Sequence, residues 1–177
     1  LRASLGLSLG QLIVLYAGTM GKKQGLEYLI AAARYLQNQP QVQFILCGDG
    51  IVRSELERAA QGLSNVHFLP VQPIETLNEL LNMADIHIIL QKADAADLVM
   101  PSKLSGMLAS GKSVIATAHA DTELGRVVRE VGILVPPEDA VALAEAILQL
   151  ANSPAERSAL GKKGRSYAVK TWDSKKI

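Results

Sequence analysis

The chain has 177 residues, 49% hydrophobic, 20% charged and 4% aromatic, with a net charge of +1. That length and apolar content suit one domain with a sizeable core and exclude a disordered chain, and the near-neutral charge argues against nucleic-acid binding, which shows a basic excess. The single cysteine, Cys47, excludes an internal disulfide and a cysteine-rich zinc site.

Residues 1–11 are loosely patterned and read as the end of an interdomain linker. Leu12 to Tyr16 is a continuous apolar run, the pattern of a buried strand, and a glycine-rich turn follows it. Leu26, Leu29, Ile30 and Ala33 then recur at helical spacing up to a stop near Gln39-Pro40. Val42 to Leu46 is a second strand, ended by Gly48-Asp49-Gly50, and a helix from about Val52 to Gln61 stops at Gly62. Val66 to Leu69 is a third, short strand closed by Pro70 and Pro73, and Thr76 to Met83 is a helix. Ile86 to Leu90 is a fourth strand, followed by a loop and a helix over Ser102 to Ser110. Ser113 to Thr117 is a fifth strand, Glu123 to Glu130 a helix, and Ile133 to Val135 a sixth strand stopped by Pro136-Pro137. Two helices finish the chain, the last opening on Ser153-Pro154-Ala155-Glu156, a capping box with proline at the first helical position.

Strands that are apolar on both faces, separated by amphipathic helices, predict a parallel sheet covered on both sides. The expected fold is therefore α/β: a Rossmann-like, doubly wound parallel sheet of about six strands with right-handed crossovers. Ligands bind such sheets beyond the carboxyl ends of the strands, where strand order reverses. The site is expected in the loops after the first, second and fourth strands.

Three stretches lie there. The first is Gly18-Thr19-Met20-Gly21-Lys22-Lys23-Gln24-Gly25. Glycines let backbone amides approach an anion, the next helix presents its positive end, and two lysines add charge. It is neither the dinucleotide fingerprint nor a Walker loop. The bland alternative is a connector with two solvated lysines. The second stretch is Ala93 to Lys103, which includes Asp94, Asp97, Leu98, Val99, Met100, Pro101 and Ser102. It leads into a helix start where Ser102 or a neighbour is placed to cap and Lys103 to pair with a phosphate oxygen; read blandly, its aspartates are solvated loop carboxylates. The third is Gly48-Asp49-Gly50, a tight turn that would pass under a base or ribose if a nucleotide were bound, and needs no function otherwise.

His67, His87 and His119 are scattered, in or near strands, with no metal-ligand spacing, so no metal site is expected. No apolar run approaches the roughly 18 residues that span a membrane. No signal peptide is visible, the chain starts without methionine and reads as an excised piece, and a cytosolic setting is the default. The C-terminus carries Lys162, Lys163, Arg165, Lys170, Lys175 and Lys176, a solvated helix face or a weakly lipid-adhesive one.

Taken together, five segments in order resemble a known family. Tyr16 to Glu27 resembles the phosphate loop of retaining glycosyltransferases of GT-B architecture, family 4-like, closest to the colanic acid and exopolysaccharide branch. Phe44 to Gly50, Asn65 to Pro70, Pro101 to Thr117 and Gly132 to Asp139 resemble that family's following elements, and the resemblance runs from about residue 12 to the end. It implies that residues 12–177 are the donor-binding domain of a two-domain enzyme whose acceptor-binding N-terminal domain is absent here. It implies transfer of a sugar from a GDP- or UDP-linked donor to the hydroxyl of a lipid-linked or oligosaccharide acceptor, with no cofactor and no metal, because amides and cations stabilise the departing diphosphate. By the same mapping Gly21, Lys22, Lys23 and Lys103 border the diphosphate. Two departures stand out. The family's loop arginine and lysine are replaced by Thr19 and Gln24, and its paired glutamates by Leu98 and Gly106, with Asp97 one residue away from the first. A nucleotide-sugar epimerase of the same architecture and a non-catalytic Rossmann-type binding module are the competing readings.

Overall fold

The computed structural model describes residues 1–95 and 102–172. Its six strands are β1 (Leu12–Ala17), β2 (Val42–Cys47), β3 (Val66–Leu69), β4 (Ile86–Leu90), β5 (Ser113–Thr117) and β6 (Ile133–Val135). All pairings are parallel, and the order across the sheet is β3-β2-β1-β4-β5-β6. The helices are α1 (Leu26–Tyr35), α2 (Arg53–Ala59), α3 (Leu77–Met83), α4 (Lys103–Ala109), α5 (Glu123–Val131), α6 (Ala140–Asn152) and α7 (Pro154–Trp172).

Both faces of the sheet are covered because its strands are mainly apolar on both sides, with Gln43, His67, His87, Ser113 and Thr117 the polar exceptions. Leu12, Val14 and Tyr16 of β1 join Phe44, Ile88 and the buried sides of α1, α2 and α6 in one core. The alternate residues Ile13 and Leu15 face the other way, against α3, while Val114 and Ala116 of β5 pack under α4, α5 and α7. This is the doubly wound arrangement that strands apolar on both faces require.

The expected strands coincide with the observed ones to within a residue; β1 and β2 each run one residue further. The helix expected from Thr76 begins instead with a 3-10 turn over Ile74–Thr76. Half of the expected capping box forms: Ser153 Oγ accepts from the Glu156 amide at 3.4 Å, whereas the Glu156 carboxylate accepts from Gln149 Nε2 at 2.8 Å and the Ser153 amide donates to the Leu150 carbonyl. Residues 1–10 are fixed on the sheet. Leu7 is buried, and Arg2 donates to Asp85 Oδ2 at 2.8 Å, an oxygen that also accepts from the Ile13 amide at 2.8 Å. That anchor lies at the amino ends of β1 and β4, the pole opposite the one where ligands bind.

Candidate functional site

The strand order reverses between β1 and β4, so a crevice opens beyond their carboxyl ends. Among the described residues it holds two hollows. The smaller, about 270 Å³, is lined by Tyr16, Lys23, Gln24, Gln91, Ser102 and Lys103 among others. The larger, about 520 Å³, is lined by Gly18, Thr19, Gly48, Asp49, Gln72 and Gly106, and shares Ser102 and Lys103 with the first.

Lys103 stands between the two hollows. Its Nζ lies 5.8 Å from the centre of the Tyr16 ring, and a methyl group on Gly18 would come within 1.7 Å of it. Glycine at position 18 is therefore what leaves room for the ammonium. The residue as a whole is exposed, but its charged end is desolvated in the crevice, which lowers its pKa from the ordinary lysine value. Tyr16 is buried and donates its hydroxyl to the Thr19 carbonyl at 2.6 Å, tying the glycine loop down to β1. Burial raises the pKa of that phenol, so it stays a neutral donor.

The loop's own amides are less available than its glycines suggest. The Gly18 amide donates to the Cys47 carbonyl at 2.9 Å and the Met20 amide to the Asp49 carbonyl at 2.8 Å. The Gly21 amide donates to Gln24 Oε1 at 3.1 Å. Met20 is itself fully buried in the core, so neither its side chain nor its amide faces the crevice. Lys23 lines the smaller hollow, whereas Lys22 is exposed and lines neither. Gln24 serves the loop rather than replacing a cation. Gly25 takes a left-handed φ of 73° at the start of α1, a conformation that a side chain would strain.

The Gly48–Gly50 turn packs directly beneath this loop. A Cβ on Gly48 would meet the Gly18 carbonyl at 1.9 Å, and one on Gly50 the Met20 carbonyl at 2.3 Å. Gly48 and Asp49 also line the larger hollow; Gly50 does not, and its amide is held by Asp49 Oδ1 at 2.8 Å. Ser102 lines both hollows, but its side chain makes no capping bond to α4, contrary to expectation. Its backbone is helical, and its carbonyl accepts from Ser105 Oγ at 3.2 Å. A cap residue needs extended backbone to swing its oxygen back over the helix end. Gly106, in the place of a family glutamate, lines the larger hollow and leaves it open, with Leu81 the nearest neighbour. Asp97, Leu98, Val99, Met100 and Pro101 lie outside the described residues.

The histidines stay out of the crevice. His67 bonds Gln43 at 2.7 Å on the outer strands, and His87 is fully buried in β4, where burial lowers its pKa to about 4. His119 is exposed after β5. Among the described residues no group of three or more His, Cys, Asp or Glu is placed to hold a metal ion. Sequence reasoning did not single out Tyr16, Cys47, Gln72 or Gln91 as part of the crevice walls. Their common signal is position: each is at or just past the carboxyl end of a strand.

The sequence model of the family described as "Glycosyl transferases group 1" matches residues 11–153. The chain belongs to this family of glycosyltransferases. Among curated relatives, the putative colanic acid biosynthesis glycosyl transferase WcaI of Escherichia coli K12 is 39% identical over 182 residues. The match covers 100% of this chain and 44% of the relative. Among solved structures, HepE of Anabaena in complex with UDP and glucose superposes with a TM-score of 0.82 at 21% identity, over 97% of this chain and 47% of that one. Sucrose-phosphate synthase of Thermosynechococcus elongatus gives 0.78 at 28% identity, over 96% of this chain and 43% of that one. The chain thus spans less than half the length of these relatives, and its fold is that of a Rossmann-like GT-B half.

Proposed function

We propose that this glycosyltransferase chain is the donor-binding half of a retaining enzyme that moves a sugar from a nucleoside diphosphate to an acceptor hydroxyl in exopolysaccharide synthesis. One observation carries the reading: Lys23 and Lys103 reach one crevice at the β1–β4 reversal, and among the described residues neither is paired with a carboxylate. Unpaired cations in a partly desolvated site are suited to an anion whose charge grows as a bond to it breaks. The solved relative's UDP and the curated relative's place in colanic acid synthesis support the same chemistry. In this reading the diphosphate lies between Lys23, the Gly18–Gly21 loop and Lys103, and the nucleoside extends toward Gly48 and Asp49. Among their described lining the two hollows hold no histidine and a single carboxylate, Asp49, which favours the transferase over the epimerase.

The acceptor, lipid-linked or oligosaccharide, is bound by the remainder of the enzyme, so this chain alone gives no turnover; catalysis needs both substrates held in one geometry. No helix among the described residues is long and apolar enough to cross a membrane. A cytoplasmic enzyme touching the membrane surface through α7 fits the basic residues Lys162, Lys163, Arg165 and Lys170 beside the exposed Val169 and Trp172.

Isothermal titration of the chain with UDP, GDP and NAD, each with and without EDTA, tests the site. A nucleoside diphosphate binds, NAD does not, and EDTA changes nothing. Loss of binding in EDTA would refute the metal-free reading, and tighter NAD binding the donor reading.

A further inference from the structure

Arg53 lines neither hollow, yet its bonds lead to the loop beside them. It stands at the first position of α2 with its side chain mostly buried, and its Nη1 donates to the carbonyls of both Gly48 and Leu69. Those carbonyls end the neighbouring strands β2 and β3. The guanidinium lies 5.8 Å from the centre of the Phe68 ring, and its Nε donates to Glu57 Oε1 at 2.8 Å, one turn further along α2. Its Nε, its Nη1 and one face are thus engaged, and its orientation is set by a carboxylate, a ring and two carbonyls together.

The other side of the Gly48–Gly50 turn is the underside of the glycine loop. Three backbone bonds join them: Gly18 amide to Cys47 carbonyl at 2.9 Å, Met20 amide to Asp49 carbonyl at 2.8 Å, and Val52 amide to Met20 carbonyl at 3.1 Å. Lys103 Nζ rests over Gly18 on the far side of that loop. The chain of contacts is continuous, from Glu57 through Arg53, the turn and the loop to Lys103.

We propose that Arg53 is a positioning residue for the diphosphate site: it pins the Gly48–Gly50 turn, and the turn fixes the height of the Gly18–Gly21 loop beneath Lys103. The assignment rests on the donor-binding reading. Arginine is required because one planar fork must serve two diverging carbonyls and a carboxylate while lying on a ring; a lysine ammonium has the charge but not the fork. Without the guanidinium, the Gly48 carbonyl loses its donor and the turn is free to lift from the loop.

The test uses Arg53→Gln, Arg53→Lys and, away from the crevice, Glu57→Gln. UDP and uridine affinities are measured by calorimetry, and amide hydrogen exchange is followed at Gly18 and Met20, with Ile88 and Ile115 as reference positions. Arg53→Gln weakens UDP at least tenfold and uridine by a clearly smaller factor, since the nucleoside also reaches the turn, and speeds exchange at Gly18 and Met20 while Ile88 and Ile115 hold. Arg53→Lys falls between parent and Gln, and Glu57→Gln gives a smaller effect in the same direction. Unchanged exchange at Gly18 and Met20 overturns the brace, as does faster exchange without a change in UDP affinity. Equal losses for uridine and UDP overturn its assignment to the diphosphate. A parent chain that binds no UDP or GDP refutes the donor reading itself, a result distinct from a variant that matches its parent.

Discussion

At the scale of single residues, the crevice separates two lysines that are adjacent in sequence. Lys23 lines the smaller hollow, and Lys22, exposed, lines neither. In the proposed site only the first is therefore available to a diphosphate, together with Lys103 in the same hollow. A charge-assisted contact contributes about 1–3 kcal/mol, or roughly one to two decades of affinity. Lys23→Ala and Lys103→Ala should each weaken UDP by about that much, and Lys22→Ala by less than twofold. All three should keep the parent's melting temperature, since loop and helix-start lysines of this kind do not bind the fold together. Calorimetry with UDP and with uridine checks it; a Lys22→Ala effect as large as that of Lys23→Ala would mean the loop presents its side chains otherwise. Gly18→Ala is the steric counterpart. Its methyl displaces the Lys103 ammonium rather than removing it, so UDP affinity should fall while the total charge stays unchanged.

Elements carry a second lesson about glycine. Helix propensity alone predicts that alanine for a mid-helix glycine stabilises by about 0.5–1 kcal/mol. In α7 packing overrides propensity: a methyl on Gly161 would lie 2.1 Å from the Gly111 carbonyl, a backbone atom that cannot swing aside. Gly161→Ala should destabilise by about 1–3 kcal/mol through overpacking. In α4 the same change at Gly106 meets only Leu81 Cδ1, at an ordinary 3.6 Å, so propensity should win and Gly106→Ala should be neutral or stabilising. Urea midpoints of the two variants test the contrast, and a shared sign would remove it. This distinction was not legible in the sequence, where both positions read alike as glycines within helical periods. The six strands were legible, because apolar runs between turn residues have one solution in a two-sided sheet, and strand ends fell within a residue of expectation. The site was legible only as loops. Which amides were engaged, that Met20 turns inward, and that Gln24 folds back on Gly21 depend on how two turns stack, and no local pattern encodes that. Arg53 escaped notice for the same reason: it reads as one more charge on an exposed helix.

For the whole molecule, the deciding titratable group is His87. It sits in the central strand β4, fully buried, with Nε2 3.3 Å from Ser110 Oγ and Lys112 near enough to disfavour a second positive charge. Burial holds its pKa near 4, below the ordinary 6.5 that it regains in the unfolded chain. The unfolded state therefore binds the proton first as pH falls. His87 contributes its stability fully above about pH 6.5 and loses it progressively down to about pH 4, a span worth on the order of 3 kcal/mol. His67, on β3, has its pKa lowered by burial as well and acts in the same direction with less force. Replacing His87 with glutamine keeps a group able to meet Ser110 and removes the titration. The urea midpoint of the parent should fall steeply between pH 6.5 and 4.5, and that of His87→Gln should fall much less over the same interval, even if its midpoint at pH 7.5 is lower. Parallel pH profiles for parent and variant would show that acid unfolds this sheet through other groups.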